Sequence, residues 1–116
     1  KLVDDMGSEH LKILWDPGNS LYASEAAFPD GYECLKGGYL GHFHIKDQIV
    51  DMPKATVSFC EFGSGQMAPY LEGIAKGLVE DNYQGIVSFE SVYRPKGGDF
   101  EAGFKASLPL FKRLFA

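Results

Sequence analysis

The chain has 116 residues, of which 45% are hydrophobic and 23% are charged, and its formal net charge is −5. This balance is that of one ordinary globular domain. An acidic chain without an apolar run of about 20 residues disfavours nucleic acid and membranes as partners, because the first needs a basic face and a membrane span needs such a run. The chain opens on Lys1 in KLVDDMGSEH, a segment typical of a helix end and a connecting turn, so a fragment is expected.

The first half of the chain predicts two strands on either side of a helix. Leu11 to Trp15 is a short apolar run that stops at Asp16-Pro17-Gly18-Asn19, which is typical of a buried strand followed by a turn. A helix is predicted from Ser24 to Lys36, with Pro29 in a first helical turn. The apolar run from Tyr39 to Ile45 then predicts the second strand.

The second half begins with a longer loop and adds two strands and two helices. Thr56 to Phe62 is predicted as a strand, and Ala68 to Glu80 carries apolar residues at helical spacing. Gly85 to Phe89 is predicted as another strand. The segment from Phe100 to Leu114 predicts an amphipathic terminal helix, in which Pro109 suggests a kink or a late start.

The strands are short and apolar on both faces, which is typical of a parallel sheet covered by helices. The sequence therefore predicts an α/β fold of parallel strands with covering helices. Three of the strands end on a side chain that can bind a metal, namely Asp16, His44 and Glu90. Because residues two apart on a strand share a face, each of them points away from its bulkier apolar neighbours. The carboxyl ends of parallel strands meet at one edge, so we expect these three side chains to converge.

Carboxylate and imidazole ligands together suit Mn²⁺, Mg²⁺, Co²⁺ or Zn²⁺. Each residue also has an ordinary structural explanation. An aspartate before Pro-Gly, such as Asp16, is typical of a turn or a helix cap. His44 fits the core or edge of a sheet, and Glu90 fits a surface ion pair. A metal site is favoured because all three residues occur at equivalent strand ends.

Four segments resemble, in order and spacing, the xylose isomerase-like barrels of the sugar phosphate isomerase/epimerase family. The segments are WDPGN (15–19), GHFHIKD (41–47), FGSG (62–65) and YQGIVSFE (83–90). The resemblance implies a (β/α)₈ TIM barrel, of which residues 1–116 would be the C-terminal half, strands 5–8, as a single partial domain. It also implies that Asp16, His44 and Glu90 are metal ligands, and that the fourth ligand, a glutamate ending the fourth strand, precedes Lys1.

The resemblance further implies a divalent-metal-dependent isomerase or epimerase that acts on a small sugar or sugar phosphate. The expected reaction is proton abstraction beside a carbonyl, with a metal-stabilised enediolate and Glu90 as both ligand and catalytic proton carrier. The candidate substrate-binding residues are Asn19, His42, Lys46 and Arg94. Each has an alternative: a turn residue for Asn19, a core residue for His42, and solvated surface residues for Lys46 and Arg94.

Two other functions stay open. An apurinic endonuclease-like phosphodiesterase would need further histidines, but the chain has Asn19 at one of those positions and no histidine after His44. A non-catalytic half-barrel or assembly module would have two open sheet edges, which predicts a homo-oligomer or pairing with the missing half-barrel. Cys34 and Cys60 lie far apart, which favours reduced thiols and a cytoplasmic location.

Overall fold

The computed structural model describes all 116 residues, which form five strands, four α-helices and the segments that connect them. The strands are β1 (Ile13–Trp15), β2 (Leu40–Ile45), β3 (Gln48–Asp51), β4 (Thr56–Phe59) and β5 (Ile86–Phe89). The α-helices are α1 (Leu2–Met6), α2 (Asp30–Glu33), α3 (Ala68–Glu80) and α4 (Phe100–Phe115). Two short 3₁₀ segments cover Pro17–Ala23 and Met52–Lys54.

The strands β1, β2 and β5 form one parallel sheet with β2 in the middle. In its register, Trp15 lies beside Phe43 and His44 lies beside Ser88. The ladder continues past β5, because the Glu90 N–H donates to the Ile45 carbonyl at 2.9 Å. All three strands therefore end at the same edge, and the prediction of an α/β fold with parallel strands is confirmed.

The two faces of this sheet differ as the sequence pattern predicts. Phe43 and Ile45 are completely buried in the core, together with apolar residues of α3. On the opposite face, Leu14 and Ile86 lie beside His42 in the register and are 56% and 64% exposed. Helices cover one face, and the face that carries the polar side chains is open, which agrees with a partial TIM-barrel domain.

The strands β3 and β4 form a separate antiparallel hairpin, with Gln48 opposite Phe59. The prediction that Thr56–Phe62 joins the parallel sheet is therefore wrong. A parallel crossover needs about a dozen residues or more, and the segment between β2 and β4 is shorter, so the chain turns back through Met52–Lys54. As a consequence β5 pairs directly with β2, which makes His44 and Glu90 near neighbours.

The predicted helix over Ser24–Lys36 is right only in its centre, because α2 is a single turn. The preceding 3₁₀ segment ends at Ala23, and the next residue, Ser24, has a left-handed φ of 57° that stops helical propagation. Phe28 precedes Pro29, and a residue in that position is disfavoured in the α conformation. Both features restrict the helix to the residues after Pro29.

The terminal helix α4 begins well before Pro109, so the suggestion of a late start is wrong. Its first turn is capped by Asp99, whose side chain accepts the N–H of Ala102 at 2.8 Å. Pro109 removes one backbone donor inside the helix. Phe111 and Phe115 lie beyond Pro109 and pack against the core, and this packing offsets the lost bond.

Gly103 lets α4 lie close to the segment that follows Glu90. A Cβ at Gly103 would collide with the backbone carbonyl of Tyr93. We expect Gly103→Ala to destabilise the fold by about 1–3 kcal/mol through overpacking, although alanine favours helix by about 1 kcal/mol. The measurement is the urea midpoint. Lys105→Ala on the exposed side of the same helix should change stability by less than about 0.5 kcal/mol. Equal stability of Gly103→Ala and wild type would contradict this account.

Candidate metal centre

Asp16, His44 and Glu90 meet at the carboxyl edge of the parallel sheet. Asp16 directly follows β1, His44 lies near the end of β2, and Glu90 directly follows β5. One potential ligand atom from each residue lies within 4.8 Å of the other two. Asp16 is buried, whereas the side chains of His44 and Glu90 are 33% and 40% exposed. The structure brings together the three residues that the strand pattern predicted to converge, and their binding of a metal stays a prediction.

The turn after β1 fixes the orientation of the Asp16 carboxylate. Asp16 caps the following 3₁₀ segment, and its Oδ1 accepts the N–H of Gly18 at 3.0 Å. A Cβ at Gly18 would lie 3.1 Å from Asp16 Oδ1 and 3.2 Å from Gln48 Nε2, which leaves little room for any other residue. Gln48 is completely buried and donates to the Gly18 carbonyl at 2.6 Å. The sequence did not reveal this part played by Gln48, since a glutamine after a strand carries no specific signal.

Lys46 lies between the two carboxylates of this group. Its Nζ donates to Asp16 Oδ2 and, at 3.1 Å, to Glu90 Oε2. The Lys46 side chain is only 8% exposed. Burial alone would lower the pKa of Lys46, but the hydrogen bonds to Asp16 and Glu90 raise that pKa overall. Lys46 is therefore a buried ammonium ion of the site, and the substrate-binding role assigned to it from the sequence stays a prediction.

The two strand histidines share a face, as their spacing predicts. His44 Nδ1 lies 3.9 Å from Glu90 Oε2. The His42 ring stands edge-on to the His44 ring, with 5.0 Å between their centroids. His42 Nε2 forms a hydrogen bond of 2.9 Å with Ser88 Oγ on the adjacent strand. His42 therefore lies directly behind His44, where it restricts the orientation of that ring.

Asp47 organises the loop that follows β4. Its Oδ1 accepts the N–H groups of Gln48 and Met67, and its Oδ2 accepts those of Gly63 and Gly65, all at 2.9 Å. The residue is only 3% exposed. The N–H groups of a glycine-rich loop can bind phosphate, but here those of both glycines already point at Asp47. The sequence did not predict this role, because the four donors come from two separate segments of the chain.

The two remaining candidates from the sequence lie outside this group. Asn19 is exposed in the 3₁₀ segment, and its backbone N–H donates to the Asp16 carbonyl at 3.0 Å. Arg94 is also exposed, and its guanidinium lies over the Phe100 ring at 5.8 Å from the centroid. The structure joins neither side chain to the three potential ligands. Their roles in substrate binding stay predictions.

The donor set fits a divalent cation. Two carboxylates and an imidazole are ligands that Mn²⁺, Mg²⁺, Co²⁺ and Zn²⁺ accept. Ligand atoms at about 2.1 Å from one ion lie at most about 4.2 Å apart, so separations of up to 4.8 Å need only small side-chain movements. Two carboxylates and one ammonium leave the group with a net negative charge. The site can therefore attract a cation although Lys46 is present.

Comparisons with known proteins give one match. A family model described as xylose isomerase-like TIM barrel covers residues 1–114. No curated protein and no solved structure gives a significant match. Among the helices, none is both long enough and apolar enough to span a membrane. The match extends over nearly the whole chain and so includes every residue of the site described above.

Proposed function

Because the chain belongs to the xylose isomerase-like TIM barrel family, we propose that it forms part of a divalent-metal-dependent sugar or sugar phosphate isomerase or epimerase. The observation that carries this proposal is the convergence of Asp16, His44 and Glu90 at the carboxyl edge of the sheet. We further propose that residues 1–116 form the C-terminal half of the barrel, with β1, β2 and β5 as its parallel strands, and that the other half supplies a fourth ligand. A cytoplasmic location belongs to the same proposal.

The proposed reaction moves a proton between carbons beside a carbonyl. A divalent cation held by Asp16, His44 and Glu90 would supply the positive charge that stabilises negative charge developing on the substrate oxygen. Glu90 is the proton carrier. Its Oε2 accepts the Lys46 hydrogen bond, whereas its Oε1 accepts none from the protein. Since the side chain is 40% exposed, its carboxylate can reach a substrate that enters from the open face.

Lys46 and His42 have supporting roles in this proposal. The Lys46 ammonium keeps the carboxylates of Asp16 and Glu90 close together in spite of their like charges. His42 and its partner Ser88 hold the His44 ring from the adjacent layer of the sheet. Such neighbours typically change metal affinity or activity by about 10- to 100-fold when they are mutated. The substrate is a small sugar or its phosphate that enters from the open face.

The open face also favours a second function, that of a half-barrel assembly module. Leu14 and Ile86 expose apolar surface there, and pairing with another chain or with a second copy would cover it. Light scattering distinguishes the two functions when it is combined with activity. A homo-oligomer that turns over no ketose in the presence of Mn²⁺ would favour the module, and metal-dependent turnover would exclude it.

The metal site is tested by replacing His44 with alanine in the full-length protein. Loss of a direct ligand should weaken Mn²⁺ binding by at least about 100-fold, since residues behind a ligand already account for about 10- to 100-fold. Isothermal titration calorimetry measures the affinity, and turnover of a panel of ketoses and ketose phosphates measures the activity. His10→Ala is the matched control, because that side chain is 90% exposed on the N-terminal turn.

We expect wild type and His10→Ala to bind one Mn²⁺ and to lose turnover in chelator. Restoring Mn²⁺, Mg²⁺, Co²⁺ or Zn²⁺ should restore turnover and identify the preferred metal. Turnover that persists in chelator would contradict metal dependence. Equal Mn²⁺ affinity of His44→Ala and His10→Ala would contradict the assignment of His44 as a ligand.

A further inference from the structure

The side chain of Lys46 fills the space between the two carboxylates of the site. It extends from the end of β2 past Gly18, where a Cβ would lie 3.2 Å from Lys46 Cγ. Its ammonium contacts Asp16 Oδ2 and Glu90 Oε2, and the side chain is 8% exposed. A buried lysine normally needs such partners, because an unpaired ammonium is costly to remove from water. Lys46 is thus held in place by the same groups that would hold a metal.

Asp16 would have to share one carboxylate between Lys46 and a metal. Its Oδ1 accepts the N–H of Gly18, and that contact is fixed by the turn. Its Oδ2 accepts no backbone N–H, and it is the oxygen that Lys46 contacts. Two cations in contact with the same carboxylate lie only a few ångströms apart, so they repel each other strongly in a partly buried site. Glu90 differs, because it can offer Oε1 while Oε2 stays with Lys46.

We propose that Lys46 is a resident cation of this site, which pairs with Asp16 and Glu90 in the metal-free protein and leaves Asp16 Oδ2 when a divalent cation binds. This inference rests on the proposed metal site. The exchange has two consequences. When no metal is present, Lys46 stays paired with both carboxylates and reduces the repulsion between Asp16 and Glu90. The metal binds less tightly than it would if Lys46 did not compete for Asp16, because metal binding breaks the ion pair between Lys46 and Asp16.

The direct test is Mn²⁺ titration of the full-length protein with Lys46 replaced by methionine or by arginine. Lys46→Met keeps much of the side-chain volume and removes the charge, so we expect it to bind Mn²⁺ at least about tenfold more tightly than wild type. Lys46→Arg keeps the charge and should bind no more tightly than wild type. Equal or weaker binding by Lys46→Met would overturn the proposal.

Thermal unfolding separates exchange from a merely structural role. In chelator, Lys46→Met should melt below wild type, because the buried Asp16 carboxylate has lost its partner. At the same saturating Mn²⁺ concentration, the melting temperature of Lys46→Met should rise more than that of wild type, because stabilisation by a ligand grows with the logarithm of its affinity. A structural role alone predicts the same increase in both proteins, and that result would overturn the proposal.

A third measurement needs no variant. Amine acetylation of wild type followed by mass spectrometry should label Lys46 faster when Mg²⁺ is present, since Lys46 would lose its contact with the buried Asp16. Lys76, which is 76% exposed on α3, is the internal control and should label equally with and without Mg²⁺. Unchanged labelling of Lys46 at saturating Mg²⁺ would overturn the proposal.

The outcomes distinguish this inference from the proposed function. If neither wild type nor Lys46→Met binds Mn²⁺, the metal site itself fails, and the exchange fails with it. If both proteins bind Mn²⁺ with equal affinity, the metal site stands and only the exchange fails.

Discussion

Replacing Asp47 by alanine should lower the free energy of unfolding by about 3–5 kcal/mol. The Asp47 carboxylate accepts four backbone N–H groups and is 3% exposed. Each buried donor left without a partner costs about 1–3 kcal/mol, and water can reach only some of them. The expected result is a urea midpoint far below that of wild type with an unchanged slope.

Asparagine is the matched control for Asp47. It keeps the shape and one carbonyl oxygen, so it can still accept two of the four N–H groups, while its amide nitrogen faces the other two. We therefore expect Asp47→Asn to lie between wild type and Asp47→Ala in stability. A loss below about 1 kcal/mol in Asp47→Ala would mean that these bonds contribute little. Other contacts would then have to stabilise the conformation of the loop from Phe62 to Met67.

The size of this effect bears on the site, because Asp47 follows Lys46 directly in the chain. The two side chains contact different parts of the molecule. Lys46 pairs with Asp16 and Glu90. Asp47 accepts the backbone N–H groups of Gly63 and Gly65. Successive residues of an extended segment point to opposite sides, which allows one dipeptide to serve both. A loosened Asp47 should therefore weaken metal binding as well as stability.

The sequence predicted the parts of the site that depend on local rules. Apolar runs gave the three parallel strands, and the alternation of side chains placed His42 and His44 opposite Phe43 and Ile45. Because all parallel strands end at one edge, the meeting of the potential ligands followed from strand positions alone. No knowledge of the packing was needed for that step.

The features that the sequence did not predict depend on contacts between distant segments. The pairing of β3 with β4 is set by a tight turn and a short connection, and the apolar pattern of β4 alone fits either a parallel or an antiparallel partner. Lys46 pairs with Asp16 and Glu90, which lie 30 and 44 residues away from it in the sequence. Such pairing depends on the three-dimensional packing, which a local pattern does not encode.

Replacing Glu90 by glutamine should reduce kcat by about 10²–10⁴-fold at saturating Mn²⁺. Glutamine keeps the size of the side chain, and its carbonyl oxygen can still accept the Lys46 hydrogen bond, but it cannot carry a proton. Saturating Mn²⁺ separates this loss from weaker metal binding. The measurements are ketose turnover and exchange of the substrate C–H proton with D₂O, and both should be lost together.

Two further variants locate the cause in Glu90. Glu90→Asp keeps the carboxylate but moves it by about 1 Å, which should cost about 10²-fold, because proton transfer depends on position as well as on charge. Glu72→Gln on the exposed side of α3 removes only the charge that pairs with Arg113, and its turnover should match wild type. Full turnover and full exchange in Glu90→Gln would refute Glu90 as the proton carrier and leave it as a metal ligand alone. Loss of turnover with retained exchange would instead place the proton on another titratable group of the site.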